Sequence, residues 1–333
     1  MNPREACTPD GFRDRSIRPL WHPSVLEGYR RIICMHLTYG PINYYPDVNQ
    51  KTSRGTNLPN PEIISANQKV HTQIATKYNQ SEPHFRPENQ EKVKQRLLDA
   101  KKLAPSNKRM LDVGCGTGFL INLAHDLFER IDGVDATQAM LDCVDLSPGN
   151  IHLHQGIAED LPFQDQTFDV VTAYSFIDHL EDYRLMISEA ARVLKPHGRL
   201  YIDLIPNRLF WNEIFELSES DNSEFDPIVN REINELVRHE EKLKEQYGID
   251  PIDWKLTEPA KSDGNGYDPK QLEAEISNLG FDCKVEFEWY LGQAQTIHGI
   301  SKEAAKVVDQ HLHRLLPITG SLFKYLVITG SKK

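Results

Sequence analysis

From Arg109 onward, short apolar runs alternate with amphipathic ones. MLDVG (Met110–Gly114), IDGVD (Ile131–Asp135), IHLHQG (Ile151–Gly156), FDVVTAYS (Phe168–Ser175) and RLYIDLI (Arg199–Ile205) each have the length and β-branched content of a strand. Between them the spacing predicts helices over Phe119–Glu129, Thr137–Val144, with Thr137 as N-cap, and Glu181–Leu194. Strands that alternate with helices imply a parallel sheet covered on both faces. Upstream, the pattern predicts helices over Pro61–Tyr78 and Pro87–Ala104, Pro87 suiting a first turn. Downstream the alternation breaks. Pro206–Gly266 reads as a mostly helical insert, with FWNEIFEL and a longer helix that starts at Asp226-Pro227 and ends near Gly248. A helix that stops at Gly280 then precedes two strands, Cys283–Leu291 and Leu322–Gly330, joined by a helical connection. Pairing of those two at the sheet edge would make the sheet mixed.

The first 60 residues lack periodicity but carry Trp21, Tyr29, Tyr39, Tyr44 and Tyr45, too many aromatics for a purely disordered tail. They read as an arm packed on the body, with a short helix at Ser24–Leu37. The expected division is an arm or cap at 1–70, an α/β core at 71–205 and 267–333, and a helical insert at 206–266. Arm and insert would converge over the C-terminal ends of the strands, where such sheets bind ligands.

Composition narrows the function classes. With 38 Lys and Arg against 49 Asp and Glu, the formal net charge is −11, which disfavours nucleic acid as main partner. Five scattered cysteines without a C-x-x-C pair suggest neither a disulfide framework nor a zinc cluster, and suit a reducing cytoplasm. No apolar run approaches the ~20 residues of a membrane helix, and the charged N-terminus reads as neither signal nor transit peptide. A small-molecule acceptor fits this balance, no metal is expected, and a homodimer stays open.

The candidate chemistry centres on LDVGCGTG, Leu111–Gly118. A strand, a bare glycine turn and a helix start gather backbone N–H groups around one point. Asp135 ends the next strand roughly 20 residues on, where a carboxylate can take both hydroxyls of a ribose. Two nucleoside cofactors compete. Dinucleotide sites favour G-x-G-x-x-G. Here Gly114-x-Gly116-x-Gly118 is tighter and follows Asp112, whose anion suits an ammonium and a sulfonium better than a pyrophosphate.

LDVGCGTG, with IAEDLPFQDQTFDVV and EAARVLKPHGRL further on, resembles the signature of class I, Rossmann-like S-adenosylmethionine-dependent methyltransferases, especially their small-molecule branch. The likeness covers about Tyr78–Ile205 well and the C-terminal part loosely. It implies a doubly wound, mostly parallel seven-stranded sheet with an antiparallel last strand and helices on both faces. It also implies S-adenosyl-L-methionine as cofactor and S-adenosyl-L-homocysteine as product. Carried over, Gly114, Cys115 and Gly116 would line the methionine portion through their backbone. Asp112 would orient its ammonium, and Asp135 would hold the ribose. Ala136 and Met140 would border the adenine, and the Ala158 N–H would reach it, with Glu159 nearby. Tyr174 and Ser175 would lie beside the methyl group, and Tyr78 would cover the cofactor. Ile157 stands where the family often has Asp, and His197 replaces a glycine of the usual Lys-Pro-Gly-Gly turn.

For the transfer itself, Asp178-His179 follows the fourth strand, so His179 is the candidate general base, oriented by a carboxylate, or else a helix cap. Arg86 could pair with the cofactor carboxylate. His84, Asp178 and Trp211 are candidate acceptor-binding residues, although Phe210, Trp211 and Phe215 would equally serve to pin the insert to the core. The expected reaction is methyl transfer to an oxygen, less readily a nitrogen, of a small molecule such as a sugar or secondary metabolite. The rivals are a catalytically silent cofactor-binding scaffold or sensor, a methyltransferase acting on protein, and a nicotinamide-dependent oxidoreductase.

Overall fold

A computed structural model describes residues 59–219, 226–290 and 301–333. The described residues all belong to one compact unit, Val48–Lys333. The expected helix at Ser24–Leu37 and most of the expected arm lie outside them.

Seven strands form one sheet: β1 (Arg109–Val113), β2 (Arg130–Asp135), β3 (Ile151–Gln155), β4 (Phe168–Tyr174), β5 (Leu194–Pro206), β6 (Phe281–Tyr290) and β7 (Phe323–Lys332). Their order is β3-β2-β1-β4-β5-β7-β6. The first five pair in parallel, and β7 runs antiparallel between β5 and β6. This is the mixed, mostly parallel sheet that the alternating pattern implies, with the last strand reversed. Every residue of β4 is buried, which explains why it reads as an uninterrupted apolar run rather than an alternating one.

Helices cover the sheet. In chain order they are α1 (Pro61–Ile74), α2 (Pro87–Leu103), α3 (Phe119–Ala124), α4 (Gln138–Leu141), α5 (Tyr183–Val193), α6 (Arg208–Glu219), α7 (Asp226–Tyr247), α8 (Pro251–Thr257), α9 (Pro259–Gly264), α10 (Pro269–Asn278) and α11 (Lys302–Arg314). Pro starts α1, α2, α8, α9 and α10, where its missing N–H costs no hydrogen bond. One apolar cluster lies on the face of α5 and α10, with Met186, Ile187, Leu272 and Ile276 on Leu111, Val171 and Ile202. The other lies on the face of α2 and α3, with Val93, Leu97, Leu120 and Ile121 on Met110, Ile131 and Val170.

Three boundaries differ from the sequence pattern. The first helix ends at Ile74, tightens into a 3-10 turn at Ala75–Lys77 and closes in a single turn, Tyr78–Ser81. The third ends at Ala124, where the Leu127 N–H bonds the Ala124 carbonyl at 2.8 Å and the chain turns Leu127 and Phe128 inward. The pattern could not show this, because the buried pair keeps a helix-like spacing while the backbone leaves the helix. At the end of α5 the chain passes straight into β5, and Leu194 already pairs with Phe168. There His197 takes φ 61°, a left-handed conformation that glycine adopts without strain.

The order reverses between β1 and β4, and ligands of such sheets bind outside the carboxyl ends at that switch point. α1 lies over this end, packing Val70, Ile74 and Ala75 with Met140 on one side and Leu243 and Ile249 of the insert on the other. It runs through position 70, so the expected boundary between arm and core falls within one helix.

Candidate ligand cleft at the sheet switch point

The loop after β1 takes its form from three left-handed glycines, Gly114 at φ 66°, Gly116 at φ 51° and Gly118 at φ 84°. The Gly114 and Cys115 N–H groups bond the Val134 carbonyl at 2.8 and 3.0 Å, which ties the loop to the end of β2. A Cβ on Gly114 would stand 2.0 Å from the Phe176 ring. One on Gly116 would meet nothing within 4 Å, because that position faces open cleft.

Asp135 bridges the two walls. Its carboxylate accepts the Gly116 N–H at 2.8 Å through one oxygen and the Thr137 N–H at 2.8 Å through the other. Thr137 precedes α4 as expected, but its side chain makes no cap bond; the carboxylate two residues earlier takes that role. Asp112 is buried, and Thr172 Oγ1 donates to it at 2.9 Å. Burial, and then the neighbouring Asp135 charge, push its carboxyl up to about 8. A cation held against it would therefore be strongly favoured. Across the cleft Ala158 and Glu159 are buried, and burial pushes Glu159 up to about 7.

Tyr78, Asp112, Gly114, Cys115, Gly116, Asp135, Ala136, Met140, Ala158, Glu159, Tyr174 and Ser175 all line one cleft, which encloses about 1040 Å³ of non-atom space, open solvent included. His84 and His179 line it too. His84 is buried among Phe85, Phe119 and Tyr174, and burial pushes its imidazole down to about 4. Asn89, which sequence reasoning passed over, donates to the Tyr174 hydroxyl at 2.8 Å and the His84 carbonyl at 2.9 Å, fixing both.

Three expected residues lie elsewhere. Arg86 is exposed at the start of α2 and does not line the cleft, because its backbone continues into that helix as N-cap. Trp211 does not line the cleft. It packs with Phe210, Ile214 and Val229, and the Lys324 ammonium stands 5.1 Å from its ring centroid. That cluster lies within the insert, and the Lys324 contact ties it to β7 of the core. Asp178 is buried behind His179, and its carboxylate holds Lys261 of α9 at 2.7 Å. Burial works to raise the Asp178 carboxyl, but Lys261 and His179 together hold it below its ordinary range. Ligand atoms of Asp178, His179 and Glu258 lie within 4.8 Å of one another. Lys261 bonds both carboxylates, Glu258 at 2.6 Å, so the cation in this cluster is an ammonium.

Sequence reasoning missed what holds His179. The Thr257 carbonyl at the end of α8 lies 2.7 Å from its Nδ1. It also missed His71 of α1, which lines the cleft and meets the His179 ring edge to face with centroids 5.2 Å apart. No motif marks either residue. His71 flanks the buried stripe of α1, and Thr257 acts through its backbone.

Fold and cleft define a doubly wound α/β architecture with a glycine-walled pocket lined by buried carboxyl groups. Residues 111–202 match the family described as Methyltransferase domain. The chain is 35% identical over 99 residues to an uncharacterized methyltransferase, YcgJ, of Bacillus subtilis, an alignment that covers 28% of this chain and 39% of that protein. It is 30% identical over 100 residues to a ubiquinone biosynthesis O-methyltransferase of Bartonella tribocorum, covering 29% and 40%. The solved YcgJ structure aligns over 73% of this chain and 99% of that one, with a TM-score of 0.44 and 22% identity. The matched segment thus spans less than half of these curated relatives. It resembles a class I S-adenosylmethionine-dependent methyltransferase domain. The cleft fits that cofactor: a buried carboxyl for a cation, a second carboxylate bonded to the loop at Gly116, and open space where a Cβ on Gly116 would point. Among the described residues no helix is long and apolar enough to cross a membrane.

Proposed function

We propose that the chain transfers a methyl group from S-adenosylmethionine to an oxygen of a small molecule. The observation that carries this reading is the placement of His179. Its ring lines the cleft beside Ser175 and Phe176, and its Nδ1 is engaged by the Thr257 carbonyl. A carbonyl only accepts, so Nδ1 carries the proton and Nε2 of the neutral ring is left as a base. Bound cofactor supplies an electrophilic methyl on a sulfonium, which leaves as a neutral thioether and needs no acid. The protein then has to align the acceptor and remove its proton. His179 takes the hydroxyl proton as the new carbon–oxygen bond forms. Asp112 would hold the ammonium of the cofactor, Asp135 its ribose, and the Ala158–Glu159 edge its adenine. Tyr78 and α1 would close the cleft over it. The name of the Bartonella relative, an O-methyltransferase, supports oxygen as the target.

Calorimetry with S-adenosylmethionine, followed by methyl-transfer screening of metabolite pools with isotopically labelled cofactor, tests the proposal. Binding and label transfer into a small hydroxylated compound are expected. Binding without transfer to any pool would leave the scaffold reading, and label on protein would move the acceptor class. His179→Ala should slow turnover about 10²-fold or more; an unchanged rate removes His179 from the reaction.

A further inference from the structure

His71 and His179 come from distant parts of the chain, one on α1 and one after β4, and their rings touch in the cleft. Each is fixed in the same way. His71 Nδ1 lies 2.9 Å from the Asn67 carbonyl one helical turn earlier, and His179 Nδ1 lies 2.7 Å from the Thr257 carbonyl. Both carbonyls are acceptors, so both Nδ1 atoms carry protons and both neutral rings keep a lone pair on Nε2. Neither Nε2 has a partner among the described residues. Two imidazoles locked in the same tautomer, side by side in a half-buried cleft, form a pair of hydrogen-bond acceptors. Burial, and then the adjacent His179, push His71 down to about 4, so it is neutral at ordinary pH and offers no charge to an anionic acceptor.

We infer that His71 is an acceptor-binding residue that works with His179, and that the acceptor carries two adjacent hydroxyls, one donated to His179 as the nucleophile and the other to His71. This rests on the methyl-transfer reading of the cleft. It adds that a compound with a single hydroxyl is held by one imidazole only, and that carboxylate acceptors are refused. The hydroxyl on His179 gives its proton to that ring as its oxygen bonds the methyl carbon and the carbon–sulfur pair returns to sulfur. The hydroxyl on His71 keeps its proton and fixes which oxygen reacts. His71 thus sets orientation and regiochemistry, and His179 takes the proton. The source of the vicinal pair can be an aromatic catechol or an aliphatic cis-diol. The rings of Tyr78, His84 and Phe176 line the same cleft.

The test uses full-length protein labelled with ¹⁵N-histidine and loaded with S-adenosylhomocysteine, so that cofactor binding is verified before any acceptor is added. Long-range ¹H–¹⁵N spectra should show both rings as Nδ1–H tautomers. Catechol or cis-1,2-cyclohexanediol should move the Nε2 signals of both rings, the stronger ligand naming the source. Phenol should move that of His179 alone, and benzoate neither. In turnover, His71→Phe should raise KM for the diol about tenfold or more with kcat within about twofold, an amount equal to one lost hydrogen bond. It should also mix the sites of methylation, and His71→Gln, which keeps an acceptor atom, should restore much of the preference. Equal responses to phenol and catechol, binding of neither diol, or an Nε2–H tautomer at His71 overturns the inference. So does a stoichiometric response of both rings to Zn²⁺ alone with none to the diols, which would make the pair a metal site. Cofactor binding and diol shifts without any transfer would instead count against the methyl-transfer reading and leave the recognition by His71 standing.

Discussion

Single residues carry most of the chemistry in the loop after β1. Gly116 combines φ 51° with open space where its Cβ would point. A side chain there strains the backbone and fills the volume kept for a ligand, yet collides with no protein atom. Gly116→Val should therefore leave a folded chain by circular dichroism while abolishing S-adenosylmethionine binding in calorimetry. Asp135 differs, because its two oxygens already bond Gly116 and Thr137. Asp135→Ala should weaken cofactor binding by about 2–3 kcal/mol, the scale of charge-assisted bonds. It should also loosen the loop, seen as faster amide exchange at Gly116 and Thr137. Unchanged exchange would mean that the carboxylate does not hold the loop.

At the scale of elements, the insert reaches the cleft by an indirect route. α6 is pinned to the body through Trp211, while α8 and α9 bring Thr257 and Lys261 to the segment that bears His179. Lys261 forms the ion pair with the buried Asp178. Lys261→Met should destabilise by roughly 2–3 kcal/mol, below the ~3–5 of a fully buried pair because the Lys261 side chain keeps 35% exposure. The double variant with Asp178→Asn should recover the part of that loss that comes from Asp178, while Glu258 still lacks its ammonium partner. Urea melts of the two single variants and the double variant measure the coupling. Additive losses would show that the ion pair does not dock the insert.

Over the whole molecule, the buried groups of the cleft set a pH dependence. Asp112 and Glu159, raised to about 8 and 7, keep their protons longer in the folded chain than in the unfolded one. Their contribution is full below the ordinary carboxyl range and is lost as pH rises towards those values. His71 and His84, lowered to about 4, act oppositely: their contribution is full above the ordinary imidazole value and is lost as pH falls towards 4. Between about 4 and 6.5 the two pairs offset each other, and above that range only the carboxyls act. The unfolding free energy of cofactor-free protein, measured by urea melts, should fall from pH 6.5 to 8 by up to about 1.4 kcal/mol per unit for each group still protonated. Asp112→Asn should flatten that fall. Equal slopes in the two proteins would show that Asp112 is ionised without a bound cation.

The sequence by itself determined the alternating sheet, the glycine loop and the acidic residues at the ends of β1 and β2. Each of these is local: strand periodicity, left-handed glycines and a carboxylate next to its own turn need no distant partner. The half of the cleft built from the glycine loop and those acidic residues was legible for that reason. Only the tertiary structure decided the other half. It set Trp211 against Lys324 rather than the cleft, left Arg86 in solvent, gave Asp178 to Lys261, and joined His71 to His179 under the Thr257 carbonyl. Those contacts link α1, the turn after β4 and the insert across long stretches of chain. Helical or strand periodicity shows which face of an element is apolar; it holds no information about which distant polar group that face will meet.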